Sequence, residues 1–418
     1  MEYRVEDNLS YKIHMIKTDK FKTVNIKIIF SKEIKKEEIT LRNFLSDFLV
    51  YTNASYPTNK ELCLRVQELY NLGLSSSCYR IGRFYNTDIN VSFLNEKYSE
   101  PGMYEETIKF LNDIVVNPNV EGNAFNKKCF QVIKEGIKNQ IESIKENTRK
   151  LSMINMLDNM GDDVYSYHTF GYLDDLNSIT PESIYEYYKE FIRTSKIDIY
   201  VLGNIDFEET KRLVSNNFKF NTLKMKKCDP FIYHNKFRKI PKKVIDKMPL
   251  SQSKLSIGCK IDELSAYERN YVLPIYSMIL GGGSNSKLFN KVREENSLCY
   301  YISASANKLD NVLFITSGIN KENFNKVVTL IKEELKSMKL GKFDEDDMND
   351  AKMQYIAMLE EFKDSPAQII SSYYSVLVIG NDPLDVRMEK IKKVTYDDVK
   401  EFGKHIHMDT IYLLEGDK

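Results

Sequence analysis

The chain repeats itself. Residues 75–95, SSSCYRIGRFYNTDINVSFLN, alternate apolar and polar residues as two strands would, with a turn expected at Asn86-Thr87-Asp88. Residues 298–320, LCYYISASANKLDNVLFITSGIN, show the same pattern with a turn near Asp310-Asn311. A helical segment precedes each pair, at 61–72 and at 285–295. A helix with apolar residues three and four apart follows each: Ile108, Leu111 and Val115 in one copy, Val327, Ile331 and Leu335 in the other. A longer polar-rich helix comes next, at 123–148 and 344–364, then a further helix and a loop at Gly161-Asp162-Asp163 or Gly380-Asn381-Asp382. Both copies close on a helix with a threonine placed as N-cap, Thr180 or Thr395, and then an apolar strand.

So many elements matched in order mean that one unit of about 200 residues occurs twice. The expected fold is α+β, with two homologous domains. Each is a mainly antiparallel sheet with helices packed on one face, since its strands alternate rather than run continuously apolar. The first strands fall at 23–30 and 252–260. Weak periodicity and several Lys and Pro mark 222–250 as a linker, which sets the domains at 1–221 and 251–418.

Composition narrows the function. Sixty Lys and Arg balance sixty Asp and Glu, so no basic excess points to nucleic acid or to a membrane surface. The six cysteines form no C-x-x-C, which argues against a disulfide framework and a cysteine zinc site. The start, MEYRVEDNLSYKIHMIK, carries charges throughout, so no signal peptide is expected. No apolar run approaches the roughly 20 residues that span a bilayer. A reducing cytoplasm is the expected compartment. The Lys- and Glu-rich run 321–347 reads as solvated helix faces of alternating charge.

Residues 280–303, LGGGSNSKLFNKVREENSLCYYIS, carry a family resemblance. The order L-G-G-G, small polar residues, L-F, V-R-E and then L-x-Y is similar to the second-domain signature of the pitrilysin/insulinase/mitochondrial-processing-peptidase family, the inverzincins. Residues 168–204, from HTFG through SITPESIYEYY to YVLGN, resemble the end of that family's first domain. The resemblance covers nearly the whole chain and is nearest to bacterial members that work as two chains of about this size. It implies two α+β domains per chain and a chamber enclosed by two chains.

Family enzymes hold zinc with H-x-x-E-H, whose two His share one helix face while the Glu acts as general base. Here no His pair is spaced by four. In the matching segment 40–50, TLRNFLSDFLV, the three positions hold Asn43, Ser46 and Asp47. The family's later carboxylate would fall at Glu135 or Gly136. Without imidazoles these residues make a poor zinc site. The segment reads instead as an amphipathic helix burying Phe44, Leu45, Phe48 and Leu49. No cofactor is expected on this chain, and zinc is expected on a partner.

What the resemblance retains is Arg293 and Tyr300, seven residues apart. In the family such a pair projects into the chamber, holds substrate backbone and steadies the oxygen of the tetrahedral intermediate. The physics suits both: a fixed, always-charged donor and a phenolic donor in a water-poor site. Tyr301, on the opposite face of the strand, is the neighbour that a one-residue slip would substitute. Gly281, Gly282 and Gly283 are candidate substrate-binding residues by resemblance to a glycine-rich loop of the mitochondrial enzyme. They also read as a helix end using Gly for positive φ. His405 and His407 read as solvated or capping residues, and His168 as a structural loop residue. The expected function is the zinc-free subunit of a heterodimeric metallopeptidase acting on peptides, contributing Arg293, Tyr300 and half of a chamber. The open alternative is an inactive peptide-binding or structural scaffold of the same fold.

Overall fold

In the computed structural model, which describes residues 1–222 and 228–417, the repeat is visible strand by strand. The first copy runs β1 (Glu2–Asn8), β2 (Tyr11–Lys17), β3 (Thr23–Glu33), α1 (Lys36–Leu49), α2 (Asn59–Glu68), β4 (Gly73–Ile81), β5 (Phe84–Leu94) and α3 (Met103–Val116). A small hairpin, β6 (Val120–Glu121) and β7 (Ala124–Phe125), leads to α4 (Lys127–Ser143), α5 (Thr148–Met160), α6 (Leu173–Ser178), α7 (Pro181–Thr194), β8 (Lys196–Gly203) and α8 (Phe207–Asn217). The second copy runs β9 (Lys242–Lys247), β10 (Ser253–Ile261), α9 (Leu273–Gly281), β11 (Cys299–Asn307), β12 (Val312–Ile319), α10 (Phe324–Lys339), α11 (Glu345–Glu361), α12 (Pro366–Ile379), α13 (Leu384–Lys392), α14 (Tyr396–Phe402) and β13 (Ile406–Glu415).

The two sheets have the same plan. The first is ordered β1-β2-β8-β3-β5-β4 and the second β11-β12-β10-β13-β9. Read in matching directions, β2-β8-β3-β5-β4 corresponds to β9-β13-β10-β12-β11. In each sheet one pair is parallel, β2 with β8 and β9 with β13, and the remaining pairs are antiparallel. Each sheet buries a core of its own against helices. Thr180 and Thr395 are the N-caps expected, accepting from Ser183 N at 3.1 Å and from Asp398 N at 3.2 Å in reciprocal capping boxes.

Three details differ from the sequence expectation. The turn between β4 and β5 lies at 82–83, where Gly82 has φ 54°, and not at Asn86-Thr87-Asp88. Those three residues sit fully buried in β5. They are polar because each has a buried partner: Ser31 Oγ donates to Asn86 Oδ1 at 2.6 Å, Arg42 Nε to Thr87 Oγ1 at 3.1 Å, and Lys27 Nζ lies 2.8 Å from Asp88. Second, part of the expected linker is strand β9. Its Lys-rich sequence hides it because it is an exposed sheet edge, where lysine blunts unwanted pairing. Of that linker, residues 223–227 lie outside the described residues.

Third, the compact units are not contiguous in sequence. One comprises Met1–Ser143 and His168–Asp229, the other Ile144–Tyr167 and Pro230–Lys418. Helix α5, from the first repeat, packs on the sheet face of β10 and β13 opposite the core of the second unit. Ser152 Oγ lies 2.8 Å from Ser256 Oγ, and Asn155 Nδ2 donates to Tyr412 Oη at 2.7 Å. Gly258 lets the helix approach, since a Cβ there would come within 2.3 Å of Met160 Sδ.

In the first unit α1 is anchored by a buried arginine. Arg42 donates to Phe30 O at 2.7 Å and to Thr87, and its guanidinium lies 5.3 and 5.2 Å from the Tyr85 and Phe191 ring centres. Among the described residues no carboxylate hydrogen-bonds it, so these carbonyl, hydroxyl and ring contacts must offset its desolvation. Arg42→Ala is therefore expected to cost about 3 kcal/mol or more, read as a fall in the urea midpoint of the intact chain, whereas Arg42→Met, which keeps the stem, loses clearly less.

Candidate functional site

Helix α1 forms because Phe44, Leu45, Phe48 and Leu49 recur at helical spacing, and all four are fully buried. The three positions expected to stand at the family's metal-binding places are engaged in other contacts. Asn43 Nδ2 donates to Thr169 O at 2.9 Å, and the Tyr85 hydroxyl sits 2.6 Å from the same carbonyl and 3.2 Å from Asn43 Oδ1. Asn43 thereby ties the helix to the loop before α6. Ser46 is buried beside the Cys78 thiol. Asp47 is half-buried, and burial alone pushes its carboxyl up to about 6. Glu135 on α4 is exposed, with Lys138 Nζ 3.9 Å away, and Gly136 beside it carries no ligand. Among the described residues no three of His, Cys, Asp and Glu are grouped to hold a metal ion. The donor chemistry agrees: an amide already engaged, a buried hydroxyl and one carboxyl do not make a zinc site.

The second unit presents a different picture. A π-helical turn, Phe289–Glu294, carries Arg293. Its guanidinium lies 4.7 Å from the Phe289 ring centre, with Nε 3.7 Å from Glu294, and the side chain is 44% exposed. Two residues past Ser297, whose φ of 51° turns the chain, β11 begins with an irregularity. Cys299 pairs with Ile319 and Tyr301 with Gly318, so Tyr300 is the extra residue of a bulge. Tyr300 is 65% exposed. The bulge aims its ring away from the sheet and into solvent at the end of the strand that the π turn feeds. Arg293 and Tyr300 are thus both accessible on one short segment.

Tyr301 goes elsewhere. It lies over Gly318 on the face that carries α5, with the Arg149 guanidinium 4.8 Å and Lys254 Nζ 5.8 Å from its ring centre. Burial raises its hydroxyl pKa, and Arg149 opposes the rise. Burial, and then Arg149, lower the pKa of Lys254. Arg149 also reaches Ser303 at 3.4 Å and Thr316 at 3.3 Å. Sequence reasoning missed Arg149 and Lys254, which lie 105 positions apart and belong to no motif. Only the packing of α5 on the second sheet brings them together.

The glycines are used for closeness. None of Gly281, Gly282 and Gly283 has positive φ, contrary to the expected use of Gly at a helix end. Gly281 ends α9 against β11, and a Cβ there would lie 2.5 Å from Ala304 N. Gly282 is exposed and Gly283 partly so, both on the solvent side of the same turn. His168 stacks between Phe170 and Tyr172 at 5.3 and 5.1 Å. His407 lies 3.0 Å from Asp262, and His405 3.4 Å from Asp262 and from Glu268.

The chain is similar to known proteins along nearly its whole length. Residues 178–355 match the model of the peptidase M16 inactive domain. The chain is 29% identical over 410 residues, 96% of its length and 95% of the other's, to a Bacillus subtilis protein named "Probable inactive metalloprotease YmfF". It is 25% identical over 197 residues, 46% of its length and 47% of the other's, to an uncharacterized zinc protease of the same organism, YmxG. A crystal structure of a conserved protein from Enterococcus faecalis superposes with a TM-score of 0.91 at 26% identity, covering 98% of this chain and 97% of the other. A peptidase M16 inactive domain from Pseudomonas fluorescens shares the fold, with a TM-score of 0.81 at 16% identity and 100% and 99% coverage.

Two substitutions test the site's architecture. Gly281→Ala forces α9 off β11 and is expected to destabilise by about 1–3 kcal/mol, read as a lower melting temperature. Asp47 has a folded pKa above its unfolded value. It therefore weighs nothing against folding below the unfolded pKa, and its penalty grows as pH rises through about 6. Asp47→Asn is expected to stabilise by about 2 kcal/mol at pH 8 and to lose that gain by pH 4, measured as urea midpoints across the range.

Proposed function

The chain belongs to the M16 peptidase family as a non-catalytic member, and from that premise we propose that it is the zinc-free subunit of a two-chain metallopeptidase. One observation carries the reading. The positions that would bind metal have turned into internal packing and hydrogen bonding, while Arg293 and Tyr300 stand exposed with no structural task that needs them. A phenol with 65% exposure at a bulge contributes little to a core. An arginine whose ion pair is 3.7 Å from one solvated neighbour contributes about as little.

In this reading the partner carries H-x-x-E-H, and a zinc bound there supplies the activated water. This chain's residues bind and orient. The Arg293 guanidinium donates to a carbonyl of the extended peptide and fixes its register. The Tyr300 hydroxyl donates to the scissile carbonyl oxygen as that oxygen gains negative charge. Both donors strengthen as the closing of two chains removes water. Gly282 and Gly283, with Gly281 packed beneath them on β11, keep the neighbouring surface low enough for a backbone to lie across it. The substrate class is unfolded peptide, such as the leader of a modified peptide, and the compartment is the cytoplasm.

Purifying the chain from its own cells should bring down, in equal amount, a homologue of similar size that carries H-x-x-E-H. With that partner, Arg293→Ala and Tyr300→Phe are each expected to lower kcat for peptide cleavage by about 10²-fold or more while complex formation, followed by size-exclusion chromatography, is unchanged. Full activity of both variants, or a chain that comes out alone, removes this assignment and leaves the scaffold reading.

A further inference from the structure

Lys308 lies in the turn between β11 and β12, at the opposite end of β11 from Tyr300. Its Nζ donates to Asn270 Oδ1 at 2.8 Å, on a π-helical turn at Glu268–Val272, and to Asn381 Oδ1 at 2.5 Å, in the loop between α12 and α13. Asn381 is buried, and Lys308 is mostly so. Among the described residues no carboxylate pairs with this amine. The acids beside it in the chain are engaged elsewhere. Asp382 holds Tyr271 and, at 2.6 Å, Lys390 Nζ, and Asp310 accepts from Asn307 Nδ2 at 2.6 Å.

The charges that bear on Lys308 are two guanidiniums. Arg387, on α13, makes no side-chain hydrogen bond and no ion pair among the described residues. Arg269 donates to Leu264 O at 3.0 Å and lies 3.9 Å from the Phe231 ring centre, while its Nε is buried with no partner. An ammonium is poorly served here. It has three N–H donors for two amide oxygens, and both arginines repel it. A neutral amine fits better: its two N–H donors match the two oxygens and leave the nitrogen lone pair free. Burial first, then Arg387 and Arg269, push the Lys308 pKa down to about 7. Desolvation beside other cations is what makes a lysine nucleophilic at neutral pH.

We propose that Lys308 is a carbamylation site, at which the amine takes up carbon dioxide. The nitrogen lone pair forms an N–C bond to CO2, a C=O π pair moves onto oxygen, and the amine gives one proton to solvent. The product is an N-carboxylated lysine, and no further reactant is needed. Its negative charge falls where Arg387 and Arg269 now oppose a positive one, and its planar carboxylate suits the fork of an unpaired guanidinium. An acyl group would remove the positive charge without bringing the arginines an anion. Carbon dioxide is small and uncharged, so a mostly buried nitrogen is within its reach.

The full chain equilibrated with labelled bicarbonate at about pH 8, trapped with a trialkyloxonium salt and mapped by peptide mass spectrometry, tests this. Label is expected at Lys308 and at the α-amine of Met1, the other amine of low basicity, and not at the solvent lysines Lys138 and Lys189. Arg387→Gln should lower the label at Lys308 by about tenfold or more. Against chloride of equal ionic strength, bicarbonate should raise the melting temperature of the wild-type chain and leave that of Lys308→Gln unmoved. No label at Lys308, equal label at Lys138 and Lys189, undiminished label in Arg387→Gln, or the same thermal shift in Lys308→Gln overturns the proposal.

Discussion

Each unit depends on its last strand. In the first sheet β8 lies between β2 and β3, and in the second β13 lies between β9 and β10. Neither sheet is continuous until the end of its repeat arrives. Strand β8 is buried from Ile197 to Gly203, as a strand with a neighbour on both edges should be. Its insertion joins residues more than 180 positions apart, as in the pairing of Tyr11 with Ile197. The helices between the first and last strands are thereby confined to the loop that the closing strand completes, and α1 and the Arg293 turn owe their positions to it. Contacts this distant in sequence slow folding and make truncation at the end of a repeat costly.

Much of this architecture was legible because duplication tests itself. A pattern that occurs twice in one order, with two threonine caps at matched places, is hard to produce by chance. What escaped did so for identifiable reasons. Asn86-Thr87-Asp88 has the composition of a turn, and only partners from β3 and α1 make it a buried strand. Strand β9 is Lys-rich because it is an edge. The place of α5 is a long-range packing choice, set by Gly258, Ser256 and Tyr412, none of which neighbours it in sequence. Local periodicity carries no information about any of the three.

The candidate site divides along the same line. Absence of imidazoles from α1 is visible in the sequence, but the fate of the face is not. Asn43 shares one carbonyl with Tyr85, and an amide at that position is a fastener between helix and loop. Asp47 retains a carboxylate at a position where burial penalises its charge. In the second unit the balance is reversed. Tyr300 is set in a bulge that exposes it, next to a tyrosine that packs normally under Arg149. Bulges re-aim side chains at the cost of a ladder bond, and a solvent-facing phenol returns nothing to stability.

A net charge of zero describes the whole chain and conceals its distribution. The run from 321 to 347 reads in sequence as alternating lysine and glutamate on a solvated helix. Winding that sequence at 3.6 residues per turn separates the signs. Glu334 turns toward Lys287, 3.5 Å away, and is nearly buried, while Lys332, Lys336 and Lys339 stay exposed. Alternation along the chain thus becomes a difference in burial for one of its acids. Bulk composition argues against a surface for long polyanions. It carries no information about which charges on one helix are drawn inward and which stay in solvent.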